Sequence, residues 1–145
     1  MPEIKQINHS DTYPIRQAVL RPNRPLATCF FEGDELATTL HFASYLNSNQ
    51  TGILSLFKNN SSLFEEEHQY QIRGMAVLED FQKYGFGKLL IEHAEAFLQE
   101  QHTQLIWCNA REAAINFYKK QGYKIRGSAF DIPDVGVHYV MYKHL

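Results

Sequence analysis

The sequence predicts a mixed α/β fold of the α+β kind, a central sheet of about seven strands flanked by helices. Three observations carry that expectation. Segments of strand composition alternate with segments of helical periodicity, and no Pro-, Gly- or Ser-rich linker divides them. A run of strand, turn, helix, strand and helix occupies residues 70–121. The 145 residues, 44% apolar and 21% charged, suffice to bury one core and resemble average globular usage, so one domain is expected over residues 1–145.

Taken in order, residues 3–8 (EIKQIN) make a short strand. Residues 11–20 follow as a helix with Ser10 or Asp11 available as cap, until RPNRP at residues 21–25 breaks the pattern. Residues 36–45 (LATTLHFASY) and 51–58 (TGILSLFK) are rich in Thr, Leu, Ile, Phe and Tyr. The LNSNQ between them consists of turn formers, which predicts an antiparallel hairpin. The acidic run at residues 65–67 belongs to a solvated loop. Residues 70–78 (YQIRGMAVL) form a further strand, in which Gly74 marks a bulge or a close backbone approach.

Across residues 86–101, Leu90, Ile91, Ala94, Phe97 and Leu98 recur at helical spacing, while Lys88, Glu92, Glu95 and Gln99 lie elsewhere on the wheel. Residues 105–109 (LIWCN) are a buried strand. Ala113, Ala114, Phe117 and Tyr118 mark a second helix ended by Gly122. Residues 123–130 and 137–143 close the chain as two strands, joined by a loop with Pro133 and Gly136.

A net charge of -2 gives no global attraction to nucleic acid or anionic lipid, so neither is an expected partner and any phosphate must be held locally. Cys29 and Cys108 lie far apart without a CxxC pair, and the Met1 end carries no signal peptide. They read as reduced thiols of a cytoplasmic protein. No apolar run approaches the ~20 residues needed to cross a bilayer. The seven histidines show no metal-ligand spacing and no acidic cluster accompanies them, so no metal is expected.

One turn invites a functional reading. At residues 82–90 the chain reads QKYGFGKLL, two glycines just before the amphipathic helix. A helix start leaves N–H groups free at the positive end of the helix dipole, and glycine lets an anion approach the main chain. Lys83 and Lys88 add positive charge. Alone, the turn is as compatible with plain chain reversal as with anion binding. Leu90 stands where GxGxxG needs its third glycine, and GxxxxGK[ST] is absent.

The larger pattern is more specific. Gln82, Gly85 and Gly87 form QxxGxG directly after the strand IRGMAVL, which resembles the acetyl-CoA-binding motif of the GCN5-related N-acetyltransferase (GNAT) family. NAREAAINFYKKQGY, with Ala114, Phe117, Tyr118, Gly122 and Tyr123 in place, is similar to the later family element AxxFYxxxG[FY]. FDIPDVGVHYVMYKHL is similar to the C-terminal strand pair of a bacterial branch. The likeness is strongest over residues 72–123 and weakest before Leu36.

That resemblance implies a GNAT fold, a mixed and mostly antiparallel sheet in which two neighbouring parallel strands, residues 70–78 and 105–109, splay apart. It implies acetyl transfer from acetyl-CoA to a primary amine of a small molecule, peptide or protein, by direct attack in a ternary complex. The main chain of Met75, Ala76 and Val77 would hold the pantetheine arm. Gln82 and the N–H groups of Lys83, Tyr84, Gly85, Phe86, Gly87 and Lys88 would hold the pyrophosphate. Asn109 would bond the cofactor amide or help close the cleft, with Ala114 and Phe117 beside it.

The chemistry needs a neutral amine, a donor to the oxyanion and an acid for the departing thiolate. Tyr118 matches the family tyrosine that donates to the cofactor sulfur; periodicity by itself would make it a core aromatic. Gln71 stands where some relatives carry a glutamate base, and it cannot accept a proton at useful pH. His138 and His41 are alternatives, as is ordered water. Arg111 replaces an asparagine common in the family, and either reaches phosphate or faces water. Arg73, with Arg16 or Arg21, would bind a carboxylate or phosphate of the acceptor if its face borders the cleft; otherwise it faces solvent.

Two other readings compete: a non-catalytic CoA-binding or sensing domain, and a phosphate-metabolite or nucleotide-binding fold. The C-terminal edge strands leave room for a homodimer.

Overall fold

The computed structural model describes residues 2–145, and hairpin chemistry builds the first part of its sheet. Strand β1 (Pro2–Gln6) pairs antiparallel with β2 (Leu40–Leu46), and β2 with β3 (Asn49–Lys58). The β2–β3 turn contracts to Asn47 and Ser48, both left-handed with φ of 52° and 68°, a geometry whose twist matches the strands it joins. β2 begins four residues later than its composition suggests. Thr39 N donates to Leu36 O at 3.0 Å and Thr39 Oγ1 to Gly33 O at 2.6 Å, so the β-prone LATT folds as a turn.

The expected N-terminal helix is composite. A 3-10 turn (His9–Thr12) leads into α1 (Tyr13–Ile15) and then a π-helical turn (Arg16–Leu20), which carries Arg16 into the interior. Then come β4 (Gln69–Val77), α2 (Phe86–Glu100), β5 (Leu105–Arg111), α3 (Ile115–Lys120), β6 (Lys124–Ile132) and β7 (Gly136–His144). Sheet order is β1-β2-β3-β4-β5-β7-β6, and β4–β5, joined through α2, is the parallel pair. The apolar stripe of α2 buries Leu90, Ile91, Ala94 and Leu98 against Phe42, Leu54, Leu56, Ile72 and Ile106. Glu95, on the same helix, is also buried and accepts from Tyr123 Oη at 2.8 Å and Lys143 Nζ at 3.0 Å. Among the described residues no helix is long and apolar enough to cross a membrane.

The feature that positions the site is a failure of pairing. β4 and β5 pair from Gln69–Leu105 to Ile72–Cys108 and then part, although both strands continue. The cause lies on the other side of β4. Between the pairs Ile53–Ala76 and Ser55–Arg73, β3 advances two residues while β4 advances three. The extra residue is a bulge, which bends a strand. Gly74 supplies it with φ of +65°, and a Cβ there would sit 2.9 Å from the Phe31 ring. The bulge and the close approach expected at Gly74 are thus both present.

Candidate active site

A cleft of about 870 Å³ opens where the two strands separate, running from the glycine turn past residues 73–77 to the end of β5. At the turn, Gly85 has φ of +83° and caps α2 with no side-chain bond. The first main-chain bond into the helix is Leu89 N to Gly85 O, which leaves the N–H groups of Phe86, Gly87 and Lys88 without main-chain partners. Gly87 is small for a second reason: a Cβ would lie 3.2 Å from both Met75 Cε and the Phe117 ring, so helix start, strand and α3 pack closely here. Gln82 Nε2 donates to Val77 O at 3.0 Å and ties the turn to the end of β4. Tyr84 is exposed and its side chain is not part of the cleft wall. Along β4 the β5-facing edge of residues 73–77 has no strand partner. A free strand edge ending at an open helix start suits an amide-bearing arm that terminates in a pyrophosphate.

Tyr118 is buried where the strands part. Its Oη donates to Met75 Sδ at 3.7 Å. Burial, reinforced by the Cys108 thiol, pushes the phenol pKa well above its usual 10. Burial likewise pushes Cys108 up to about 12. Both groups therefore keep their protons at neutral pH, and the Tyr118 hydroxyl remains available as a hydrogen-bond donor.

His138, on β7 opposite Arg111 of β5, is 4% exposed and lines the same cleft. Its Nδ1 donates to Gly136 O at 2.7 Å. A carbonyl only accepts, so the neutral ring carries its lone pair on Nε2. Asn109, Ala114 and Phe117 also line the cleft, as do Met75, Ala76 and Val77.

The far wall is built from side chains. Val19, Leu20, Arg21 and Phe31 face Arg73 across the bulge. Behind them lies a buried network that the sequence did not announce. Arg16 donates to Asp34 Oδ2 at 2.7 Å, Asp34 Oδ1 at 3.0 Å, Cys29 O at 2.8 Å and Ser55 Oγ at 3.0 Å. Burial raises the Asp34 pKa, but the Arg16 and Phe31 N–H hydrogen bonds outweigh it and hold the carboxyl below its usual range. His41 Nε2 donates to Asp34 O at 3.0 Å and Nδ1 meets Ser55 Oγ at 2.7 Å; burial lowers its pKa. The structure therefore brings Arg73, Arg21 and Arg111 to the cleft, and leaves Arg16 and His41 within the protein behind it. Periodicity carries no signal for such a network, whose members lie on β2, β3, the π turn and a loop.

The sequence matches the model of the acetyltransferase (GNAT) family over residues 3–123. It is 39% identical over 145 residues to a Bacillus subtilis protein named as the uncharacterized N-acetyltransferase YitI, covering 100% of this chain and 97% of that one. The Escherichia coli ribosomal-protein-S18-alanine N-acetyltransferase superposes with a TM-score of 0.76 at 19% identity, over 99% of this chain and 94% of its own. An aminoglycoside 6'-N-acetyltransferase complexed with coenzyme A gives 0.78 at 13% identity, over 98% and 96%. The splayed strands and the glycine turn thus have the sequence and the fold of one group of enzymes: the chain belongs to the GNAT family of acetyltransferases.

Proposed function

We propose that the chain transfers an acetyl group from acetyl-CoA to the primary amine of a small-molecule or peptide acceptor, by direct attack in a ternary complex. The observation that carries this reading is the meeting, in one cleft, of the unpaired β4 edge, the open start of α2 and the buried Tyr118 hydroxyl. The main chain of Met75, Ala76 and Val77 holds the pantetheine arm. The N–H groups of Phe86, Gly87 and Lys88, with the charges of Lys83 and Lys88, hold the pyrophosphate. Acetyl-CoA supplies the activated acyl group as a thioester.

His138 Nε2 accepts the proton lost by the amine as its nitrogen bonds to the acyl carbon. Tyr118 Oη–H hydrogen-bonds the sulfur released when the C–S bond breaks, and keeps its own proton because its pKa is so high. Nothing in the site favours a non-catalytic sensor, since the buried donor and the candidate base both face the cleft. The buried free thiols Cys29 and Cys108 suit the reducing cytoplasm.

Acetyl-CoA is expected to raise the melting temperature in a concentration-dependent way, and amines are expected to release thiol from it. Tyr118→Phe lowers that turnover about 10-fold while retaining the thermal shift. Unchanged turnover in Tyr118→Phe removes the tyrosine from the mechanism. Stabilisation by ATP or NAD but not by acetyl-CoA overturns the whole reading.

A further inference from the structure

The cationic cluster around Phe31 exceeds what the fold uses. Three guanidinium groups surround that one ring, with Arg16 Cζ at 3.9 Å from its centroid, Arg73 at 5.0 Å and Arg21 at 5.9 Å. Arg73 also lies 5.1 Å from the Phe57 centroid. The buried carboxylate beside them, Asp34, is engaged by both terminal nitrogens of Arg16. Glu32 is near Arg73 but forms no ion pair with it. Among the described residues neither Arg73, Arg21 nor Arg111 has an ion pair, and Arg73 makes no side-chain hydrogen bond; all three border the cleft. Arg73 and Arg21 are half-buried and Arg111 is exposed; like charges held together there repel one another, and an oxyanion between them relieves that repulsion through the guanidinium fork.

Position along β4 separates this cluster from the pyrophosphate end. The glycine turn follows Val77, whereas Arg73 lies four residues earlier, about 13 Å back along the strand. It stands next to Ile72, where β4 and β5 part, and beyond Met75, on which Tyr118 rests.

We propose that Arg73, with Arg21 and Arg111, forms a subsite for an oxyanion carried by the acceptor, which is therefore a primary amine bearing a carboxylate or a phosphate. This rests on the acetyl-transfer reading above. The bulge at Gly74 sets the arginine wall against Phe31, so the acceptor's anion is gripped on the side of the reacting centre away from the donor's phosphates.

The test first saturates the protein with coenzyme A, so that the donor's own phosphates occupy their end of the cleft. Inorganic phosphate and succinate are then titrated separately, and the melting temperature is followed. The wild type is expected to gain stability with one or both, which tells phosphate from carboxylate. Arg73→Gln is expected to lose that gain while keeping the coenzyme A shift. In thiol-release assays of matched pairs, ethanolamine against its phosphate ester and propylamine against β-alanine, the anionic member is expected to be favoured about 10-fold in kcat/KM. Arg73→Gln collapses that ratio and Arg73→Lys restores part of it. If Arg73→Gln does not fold, Arg21→Gln must show the same loss. A coenzyme A shift with no response to either anion, an unaltered response in both variants, or a preference for the neutral amines overturns the proposal. Loss of the coenzyme A shift in the wild type overturns the donor reading instead.

Discussion

The two ends of the cleft are made of different material. The proposed donor end is main chain: a strand edge without a partner, a left-handed glycine and the first turn of a helix. The proposed acceptor end is side chain: arginines arrayed on one phenylalanine and anchored by a buried ion pair. Main-chain sites tolerate substitution at most positions and demand glycine at a few, so they leave a short, rigid motif. Side-chain sites can be rebuilt residue by residue on the same scaffold. The named neighbours fit this division, since a ribosomal-protein alanine and an aminoglycoside appear in the names of enzymes that share the fold.

Removing the anchor of the acceptor wall should have the largest effect. Asp34→Ala leaves the Arg16 guanidinium buried without its counter-ion; Arg16 is 0% exposed and its Nε already lacks a partner. A loss of about 3–5 kcal/mol in urea denaturation is expected, and a loss below 1 kcal/mol would show that water reaches the network.

The donor end breaks differently. A Cβ at Gly85 meets no atom within 4 Å, so Gly85→Glu fits sterically, yet φ of +83° strains it and its carboxylate would stand at the proposed pyrophosphate site. Acetyl-CoA should bind on the order of 100-fold more weakly by calorimetry. Gly85→Ala isolates the strain, and equal losses in both variants would assign the effect to backbone rather than charge.

The smallest effect is one of pH, and it belongs to the acceptor end alone. Burial depresses the pKa of His41, so the unfolded chain takes up a proton below about 6.5 that the folded protein resists. Stability is therefore complete above that pH and is lost as pH falls through the folded value. Asp34, also depressed, adds a second loss below about 3.9, where the unfolded carboxyl protonates first. His41→Gln should flatten the upper stage of the melting-temperature profile; an unchanged profile would place that titration elsewhere.

Much of the fold was legible because periodicity reports burial directly. The stripe Leu90, Ile91, Ala94, Leu98 lies in the core, and the seven expected strands are the seven observed, with shifted ends. Element ends were less legible because turn hydrogen bonds decide them, as at Leu36, where LATT has strand composition but caps a turn. The glycine turn was legible because φ at Gly85 and packing at Gly87 each demand the residue. Asp34, Ser55 and Phe31 were not, because contact partners 18 and 39 residues apart along the chain leave no local pattern.

The parting of β4 and β5 bears on how this protein stays out of aggregates. Unpaired strand edges recruit strands from other chains, and most sheets keep theirs at the rim, where charge or twist must blunt them. Here an additional edge, residues 73–77 of β4, faces a cleft lined also by β5 and by residues of α2 and α3. A bulge at one glycine thus conceals a sticky edge from other proteins while leaving it available to a molecule slim enough to enter.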